Sequence, residues 1–331
     1  MSGKLLLYDL ATEKVLDERK DHSKYVVKLA SWSDGPSTSI IATAGWDSKV
    51  VIYRLNLTDS LNIKLGEPIA QLSTSSIPET IVFIRSPDTA TEPILLLTRR
   101  DSTCLYYYSL PQLGSSISDF TLLGKQNLSP HSTAWVAFSL SDVRVCPTDE
   151  SIVAVATSST PHMRVIVARL LIPPKTGLTS NTHAQTLALG QISSGMADSV
   201  PDPGDTLTQA SQARANLVIQ DREEAAIIVN INTMAPQTAY STPTLVWRPD
   251  GSGIFVSSDD GIIRGLETIT GKLITSLDAH EGGTKLRCLW AGCVKREQKS
   301  SINDESDLLE DEEEYLISGG FDQKLILWSS I

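Results

Sequence analysis

Short apolar runs of strand length recur along the whole chain and are separated by polar turns rich in Gly, Pro, Asp and Ser. Examples are residues 25–30, 49–53, 93–97, 151–156, 253–256 and 324–328. Several runs are apolar at successive positions rather than at alternate ones, which indicates strands buried on both faces. No helix-length amphipathic period competes with them, so the pattern predicts an all-β protein with sheets stacked face to face.

One phrase occurs near both ends of the chain. Residues 41–53 read IATAGWDSKVVIY, and residues 315–328 read YLISGGFDQKLILW. Each consists of an apolar strand, a tight turn that contains Asp, and a second apolar strand. The same order of strands and turns predicts repeats that begin near residues 25, 77, 135, 242 and 284, preceded by two strands of a partial repeat within 4–22.

This order resembles the WD40 repeat, which has a period of about 40–45 residues and forms one four-stranded blade of a β-propeller. The resemblance implies a WD40-like β-propeller of about six or seven four-stranded blades, some of them degenerate. Because the sequence shows five repeats and a fragment, an incomplete ring is a second expectation. If the ring closes as in the family, a strand within 4–20 pairs antiparallel with residues 324–330.

The resemblance also implies two structural tetrads, because WD40 blades join a His, a Ser or Thr, an Asp and a Trp by hydrogen bonds. The first set would be His22, Thr43, Asp47 and Tyr53, with Tyr in place of Trp, and the last set His280, Ser318, Asp322 and Trp328. The Asp is expected to accept a hydrogen bond from the His ring. The hydroxyl is expected to bridge to the indole N–H, so that buried polar groups are satisfied.

Composition allows one domain over residues 1–331, interrupted by two insertions. Residues 175–211 are polar and almost free of aromatic residues, so we expect a flexible loop there. Residues 294–312 interrupt the last repeat between its first two strands and carry most of an acidic run. We therefore expect a single propeller with a flexible polar insertion and an acidic loop insertion.

Charge is concentrated in one stretch. The chain carries a formal charge of −11, and residues 304–314 hold eight acidic and no basic residues. This run could dock a basic partner, or it could be a solvated loop. Its candidate residues are Asp304, Glu305, Asp307, Glu310, Asp311, Glu312, Glu313 and Glu314. The sequence pI of 5.0 and the lack of a basic stripe argue against direct binding of nucleic acid.

Motifs for catalysis and for cofactors are absent from the sequence. It contains no GxSxG, P-loop or GxGxxG, and its four cysteines form no CxxC pair. We therefore expect no enzyme activity, no cofactor and no metal. No signal peptide or membrane-spanning run is recognisable, so a soluble protein of the cytoplasm or nucleus, without membrane insertion, is expected.

Function is implied by the resemblance alone. It implies a non-enzymatic scaffold or adaptor subunit that binds other proteins, which the sequence does not identify. One alternative is a structural subunit of a coat-type or pore-type assembly, completed by a strand or blade of its partner. Another is a propeller hydrolase with a site in the central channel. That enzyme would need histidines clustered with acidic residues at one channel mouth, and the sequence offers no such cluster.

Overall fold

The computed structural model describes eight stretches of the chain. They are residues 3–33, 38–56, 63–87, 93–111, 120–133, 137–173, 203–295 and 312–329. Within them lie twenty-one β-strands and one α-helix, and the strands form six antiparallel sheets. The fold is therefore an all-β propeller with one helical addition.

Four sheets have four strands each. The first blade contains β3 (Val26–Ser33), β4 (Thr38–Gly45), β5 (Lys49–Asn56) and β6 (Ala70–Ser73). The second contains β7 (Pro78–Ile84), β8 (Ile94–Arg99), β9 (Cys104–Ser109) and β10 (Thr121–Asn127). The third contains β11 (Leu140–Val145), β12 (Ile152–Thr157), β13 (His162–Arg169) and β14 (Ile227–Pro236). The fourth contains β15 (Leu245–Trp247), β16 (Gly253–Val256), β17 (Ile262–Glu267) and β18 (Leu273–Asp278).

Two further sheets are smaller. The fifth blade has three described strands, β19 (Leu286–Lys295), β20 (Glu312–Gly320) and β21 (Leu325–Ser329). The N-terminal hairpin consists of β1 (Leu5–Asp9) and β2 (Lys14–Arg19), which pair with each other. The five predicted repeats and the fragment are thus confirmed. The count of six or seven blades is not what the described residues show, since they form five blades and a hairpin.

Apolar side chains are buried between consecutive blades. Four clusters lie between the first and second, second and third, third and fourth, and fourth and fifth blades. The inner strands follow the same series, from β3 to β7, β11, β15 and β19. Among the strands that the structure describes, β19 does not pack on β3 in this way. The ring is therefore open between the fifth blade and the first, and we call this the open side.

Ring closure by the chain's own ends is the clearest wrong expectation. Within the described residues, β21 pairs with β20 only, and β1 pairs with β2. The hairpin is instead attached to the first blade. Arg19 forms a bidentate ion pair with Glu67 at 3.0 and 2.9 Å. Asp17 accepts a 2.9 Å hydrogen bond from the backbone N–H of Leu65. These bonds hold the N-terminal strands beside the first blade and away from β21.

The helix α1 (Pro203–Ala225) corrects the first predicted insertion. It follows residues outside the described part of the chain and precedes β14, so it lies inside the third blade's last connection. Residues 203–211 are helical and do not continue the predicted loop. Proline is well tolerated in a first helical turn, and Gln and Ala, which belong to the composition that predicted a loop, are also good helix formers. The rest of that insertion lies outside the described residues.

The boundaries of the second insertion are also narrower than predicted. Strand β19 extends to Lys295 and β20 begins at Glu312. The register pairs Val294 with Glu313 and Lys295 with Glu312, so both ends of the insertion are strand. Residues 296–311 lie outside the described part.

A buried carboxylate joins three blades near the centre of the ring. Asp142 on β11 accepts hydrogen bonds from Lys28 on β3 at 2.9 Å, from the Thr244 hydroxyl at 3.0 Å and from the Leu245 N–H at 3.2 Å, and Arg144 lies beside it. Burial acts to raise the pKa of Asp142, but Lys28 and Arg144 outweigh it, and the pKa lies below its usual value. The first, third and fourth blades are thereby held together by one ionised group.

We expect Asp142→Ala to lower the free energy of unfolding by about 3 kcal/mol, because it leaves the Lys28 ammonium without its buried partner. Chemical denaturation at neutral pH measures this. The matched control is Glu150→Ala, which removes the exposed Arg85–Glu150 pair and should change stability by less than about 0.5 kcal/mol. Equal effects of the two variants would contradict the role of Asp142.

The same carboxylate makes the stability of the protein depend on pH in the acid range. Since its pKa is lowered on folding, the unfolded chain takes up the proton more readily. The contribution of Asp142 is complete above the unfolded pKa of about 4 and is lost as the pH falls through the folded value. The stability difference between wild type and Asp142→Ala should therefore shrink on acidification.

Candidate interaction surface on the open side of the ring

The first predicted tetrad is assembled around His22. Its Nδ1 lies 2.9 Å from Asp47 Oδ1, and its Nε2 lies 2.8 Å from Thr43 Oγ1. Tyr53 is buried in the same sheet, but its hydroxyl donates a 3.0 Å hydrogen bond to Asp21. Burial and this bond both raise the pKa of Tyr53, so the phenol remains a donor.

The last predicted set surrounds His280. Its Nδ1 lies 2.9 Å from Asp322 Oδ1, and its Nε2 lies 3.1 Å from Ser318 Oγ. Trp328 lies in the same blade, but its buried indole nitrogen has no hydrogen-bond partner among the described residues. The expected bond from the hydroxyl to the indole is therefore not formed. The structural role of both sets remains a prediction.

A glycine makes room for each histidine. Gly45 and Gly320 directly precede the turn residues of their blades. A Cβ on Gly320 would lie 2.8 Å from His280 Nδ1 and 2.9 Å from Asp322 Oδ1, and a Cβ on Gly45 would overlap the equivalent atoms of His22 and Asp47. Both glycines belong to the sequence pattern that occurs at residues 41–53 and 315–328. The imidazole packed against each glycine leaves no room for a side chain there.

The fourth blade satisfies its turn carboxylate without a histidine. Arg264 donates to both oxygens of Asp260, at 3.1 and 2.7 Å. In the first blade, burial acts to raise the pKa of Asp47, but the bonds from His22 and from the Ser23 N–H lower it below its usual value. The two arrangements hold an ionised Asp at equivalent turns of the first and fourth blades.

No described element packs on one sheet face of the fifth blade. The strand registers place its side chains on one side, and we call this the open face. Its members are Cys288, Trp290, Ile317, Leu325 and Leu327. Trp290 is 48 % exposed, Leu325 73 % and Leu327 62 %. The opposite face of the same strands packs on the fourth blade. The open face therefore lacks the neighbour that the other blades have.

The hairpin also presents apolar side chains to solvent. Leu6, Tyr8 and Val15 are each about half exposed, whereas Leu5 and Leu7 are partly buried. The burial alternation of β1 directs Leu5 and Leu7 towards the first blade. Leu6, Tyr8 and Val15 consequently lie on the other face of the hairpin, which no described blade covers, and Leu6 also lines the groove beside the first blade.

The groove lies between the hairpin and the first blade. It measures about 260 Å³, and its lining consists of Leu5, Leu6, Leu7, Leu29, Ala30, Ser31, Ile41 and Leu65. Leu29 belongs to the inner strand β3 and is 59 % exposed. The apolar wall thus continues from the hairpin to the innermost strand of the ring.

Two aromatic residues flank the open side at equivalent turns. Trp46 donates its backbone N–H to the carbonyl of Tyr25, and Phe321 donates its own to the carbonyl of Lys285. Both rings are partly exposed, and the Arg287 guanidinium lies 4.0 Å from the centroid of the Phe321 ring. The blades on either side of the opening therefore carry aromatic side chains on the same edge.

Two residues of the acidic run, Glu313 and Glu314, have side chains within the described part of the chain. Glu314 forms a bidentate ion pair with Arg248, at 3.1 and 2.6 Å, and Glu313 accepts a 2.8 Å hydrogen bond from Tyr315. These two carboxylates are thus bonded within the chain. Asp304, Glu305, Asp307, Glu310, Asp311 and the side chain of Glu312 lie outside the described residues. Docking of a basic partner remains a prediction.

Sequence reasoning missed the open face because its apolar run looks the same whether one or both faces are buried. The strand LILWS carries Ile326 and Trp328 inward and Leu325 and Leu327 outward. For the described residues, no group of three or more His, Cys, Asp or Glu side chains forms a metal site. No helix in the described part of the chain is both long and apolar enough to cross a membrane.

Comparisons with known proteins agree with a propeller. A family model described as "UCP007778, beta-propeller domain" matches residues 1–289. No curated protein shows significant similarity. A chain in the crystal structure of the mitotic checkpoint complex is similar, with 12 % identity, a TM-score of 0.50, and coverage of 99 % of this chain and 70 % of that one.

Two further solved structures match this chain with similar sequence identity, TM-score and coverage. The Dos1 propeller has 13 % identity and a TM-score of 0.50 over 98 % of this chain and 62 % of that one. The computationally designed Ika8 protein has 13 % identity and a TM-score of 0.46 over 99 % of this chain and 65 % of that one. The chain thus spans 62 to 70 % of these chains. At 12 and 13 % identity, the likeness to the first two of these structures concerns the fold alone.

We expect Gly45→Ala to lower the free energy of unfolding by about 1–3 kcal/mol, because the added methyl group overlaps the His22–Asp47 pair. Gly282→Ala is the matched control, since a Cβ there meets nothing within 4 Å. A double-mutant cycle tests the cause. In a His22→Ala background the cost of Gly45→Ala should largely disappear. An unchanged cost in that background would show that the glycine serves another purpose.

Proposed function

The chain belongs to the family described as UCP007778, beta-propeller domain, and on this premise we propose that it is a WD40-type scaffold or adaptor subunit of a multiprotein complex. Two His-centred networks at equivalent positions support the WD40 assignment. The proposal takes the partner to be a protein and the location to be the cytoplasm or nucleus. Direct nucleic-acid binding is not part of it, because the net charge is negative.

The open face is the observation that carries this proposal. Contiguous apolar patches on soluble proteins usually mark interaction sites, whereas scattered apolar residues need no explanation. Here Trp290, Leu325 and Leu327 lie on one sheet face, next to Cys288 and Ile317. A second protein that covered them would bury a Trp at the centre of the contact, and Trp is a typical interface anchor.

A non-enzymatic role is part of the proposal. A hydrolase built on the tetrads would need the hydroxyl that is bonded to the histidine to be open to a substrate. The hydroxyl residues Thr43 and Ser318 are fully buried, and so are the rings of His22 and His280. This arrangement favours a scaffold over the hydrolase alternative.

A second candidate function has an observation of its own. Within the described residues, β1 and β21 are each paired on one side only, and such edges readily accept a further strand. This favours a structural subunit of a larger assembly, whose ring is completed by a strand or blade of its partner. Stoichiometric purification with one protein would distinguish this role from that of an adaptor with several partners.

We expect Leu327→Lys to abolish co-purification of the main partner from the native cell, because it places a charge in the middle of the apolar open face. Ile269→Lys is the matched control, since Ile269 is 86 % exposed in the fourth blade, away from the open side. Quantitative mass spectrometry of affinity-purified wild type and both variants measures the loss. Retention of every partner by Leu327→Lys would overturn the proposed site, and melting curves confirm that the variants are folded.

A further inference from the structure

We propose that the groove between the hairpin and the first blade holds a large apolar side chain of a β-strand from another protein, and that this strand pairs with the free edge of β1. This inference rests on the proposed scaffold function and identifies the chemistry of the partner. It adds an anchor pocket and a pairing edge to the open face.

The size and lining of the groove fit a side chain rather than a metabolite. Its volume is about 260 Å³ and its lining is almost entirely aliphatic. Sites for drug-sized ligands measure about 300–1,000 Å³ and include several polar groups. An apolar cavity of about 150 Å³ is sufficient for a benzene ring. One aromatic side chain, or two aliphatic ones, would therefore fill the groove.

The free edge of β1 determines how the partner strand that carries this side chain binds. Strand β1 is bonded to β2 on one side only, and β2 is the strand attached to the outer part of the first blade through Leu65 and Glu67. The unpaired edge of β1 therefore faces inward, where Leu29 of β3 is exposed. An extended peptide can add to such an edge through backbone hydrogen bonds, while its alternate side chains enter pockets.

The alternation of side chains along a strand then defines which residue types the partner strand needs on each of its two faces. Successive side chains point to opposite faces, so one set would enter the groove over Leu29 and the other would face the open side, where Trp290 lies. Both surroundings are apolar. The partner strand should thus be apolar at successive positions, in the manner of the buried strands of this chain.

Four charged groups of the hairpin favour an uncharged partner segment. Lys4 and Glu18 form an ion pair with each other. Asp17 is bonded to the Leu65 N–H and Arg19 to Glu67 and Asp21. These four groups have their partners within the chain, so a basic or acidic peptide would gain little from them.

A second copy of this chain is a less suitable occupant. The edge strands that it could offer belong to its blades or to its hairpin. Its β21 could pair through the unpaired edge, but Ile326 and Trp328 tie that strand to the fourth blade, so the whole blade would have to enter beside β1. A separate protein, with a strand not committed to a blade, needs no such space.

Site-specific photocrosslinking in the native cell tests the proposal while the partner is still unidentified. A benzophenone amino acid replaces Leu29 in one variant and Leu122, half exposed on the second blade, in the control. We expect position 29 to crosslink to an apolar strand segment of another protein, and position 122 not to do so. Mass spectrometry identifies the crosslinked peptide.

Two further measurements separate the possible outcomes. In the purified complex, the amides of β1 should exchange hydrogen at least ten-fold more slowly than in the free chain, because they become paired. Leu29→Lys should weaken the complex about thirty-fold, as expected for an interface anchor. Crosslinks from position 29 to this chain alone, or unchanged exchange of β1, would overturn the inference. If Leu327→Lys still releases the partner in that case, the scaffold function survives and only the anchor is wrong.

Discussion

Burial of both faces of every blade is the constraint on which this structure depends. A sheet with apolar residues on its two faces must have a neighbour on each side. Five blades in an open series provide four interfaces, and four interblade clusters are observed. The first and the fifth blade therefore each have one face without a neighbouring blade. The hairpin covers part of the face of the first blade, while the open face of the fifth blade is uncovered. The candidate surface is thus a direct result of the number of blades.

The repeat positions could be predicted because they depend on local chemistry. Strand-length apolar runs and Asp-containing turns gave starts near 25, 77, 242 and 284, and the strands begin at Val26, Pro78, Leu245 and Leu286. The start near 135 was less accurate, since β11 begins at Leu140. The pairing of His22 with Asp47 and of His280 with Asp322 also agrees with the spacing.

The interactions that were missed are those between distant parts of the chain. Nothing near Lys28 in the sequence indicates that its partner is Asp142, and nothing near the hairpin indicates that it attaches to Glu67 rather than to β21. The helix α1 was missed because its hydrophobic residues do not form a stripe and most of its described side chains are exposed. Composition alone cannot separate such a helix from a polar loop.

The pair of Lys28 and Asp142 also has a consequence in time. The two residues are 114 positions apart, and ribosomes add roughly 5–20 residues per second. The first blade therefore leaves the ribosome several seconds before the carboxylate that fixes its inner strand exists. During that interval β3 can already pair with β4, but Lys28 gains its buried partner only when the third blade folds. The ionic contacts at the centre of the ring are thus completed after the strand pairing of the first blade, in an order set by synthesis.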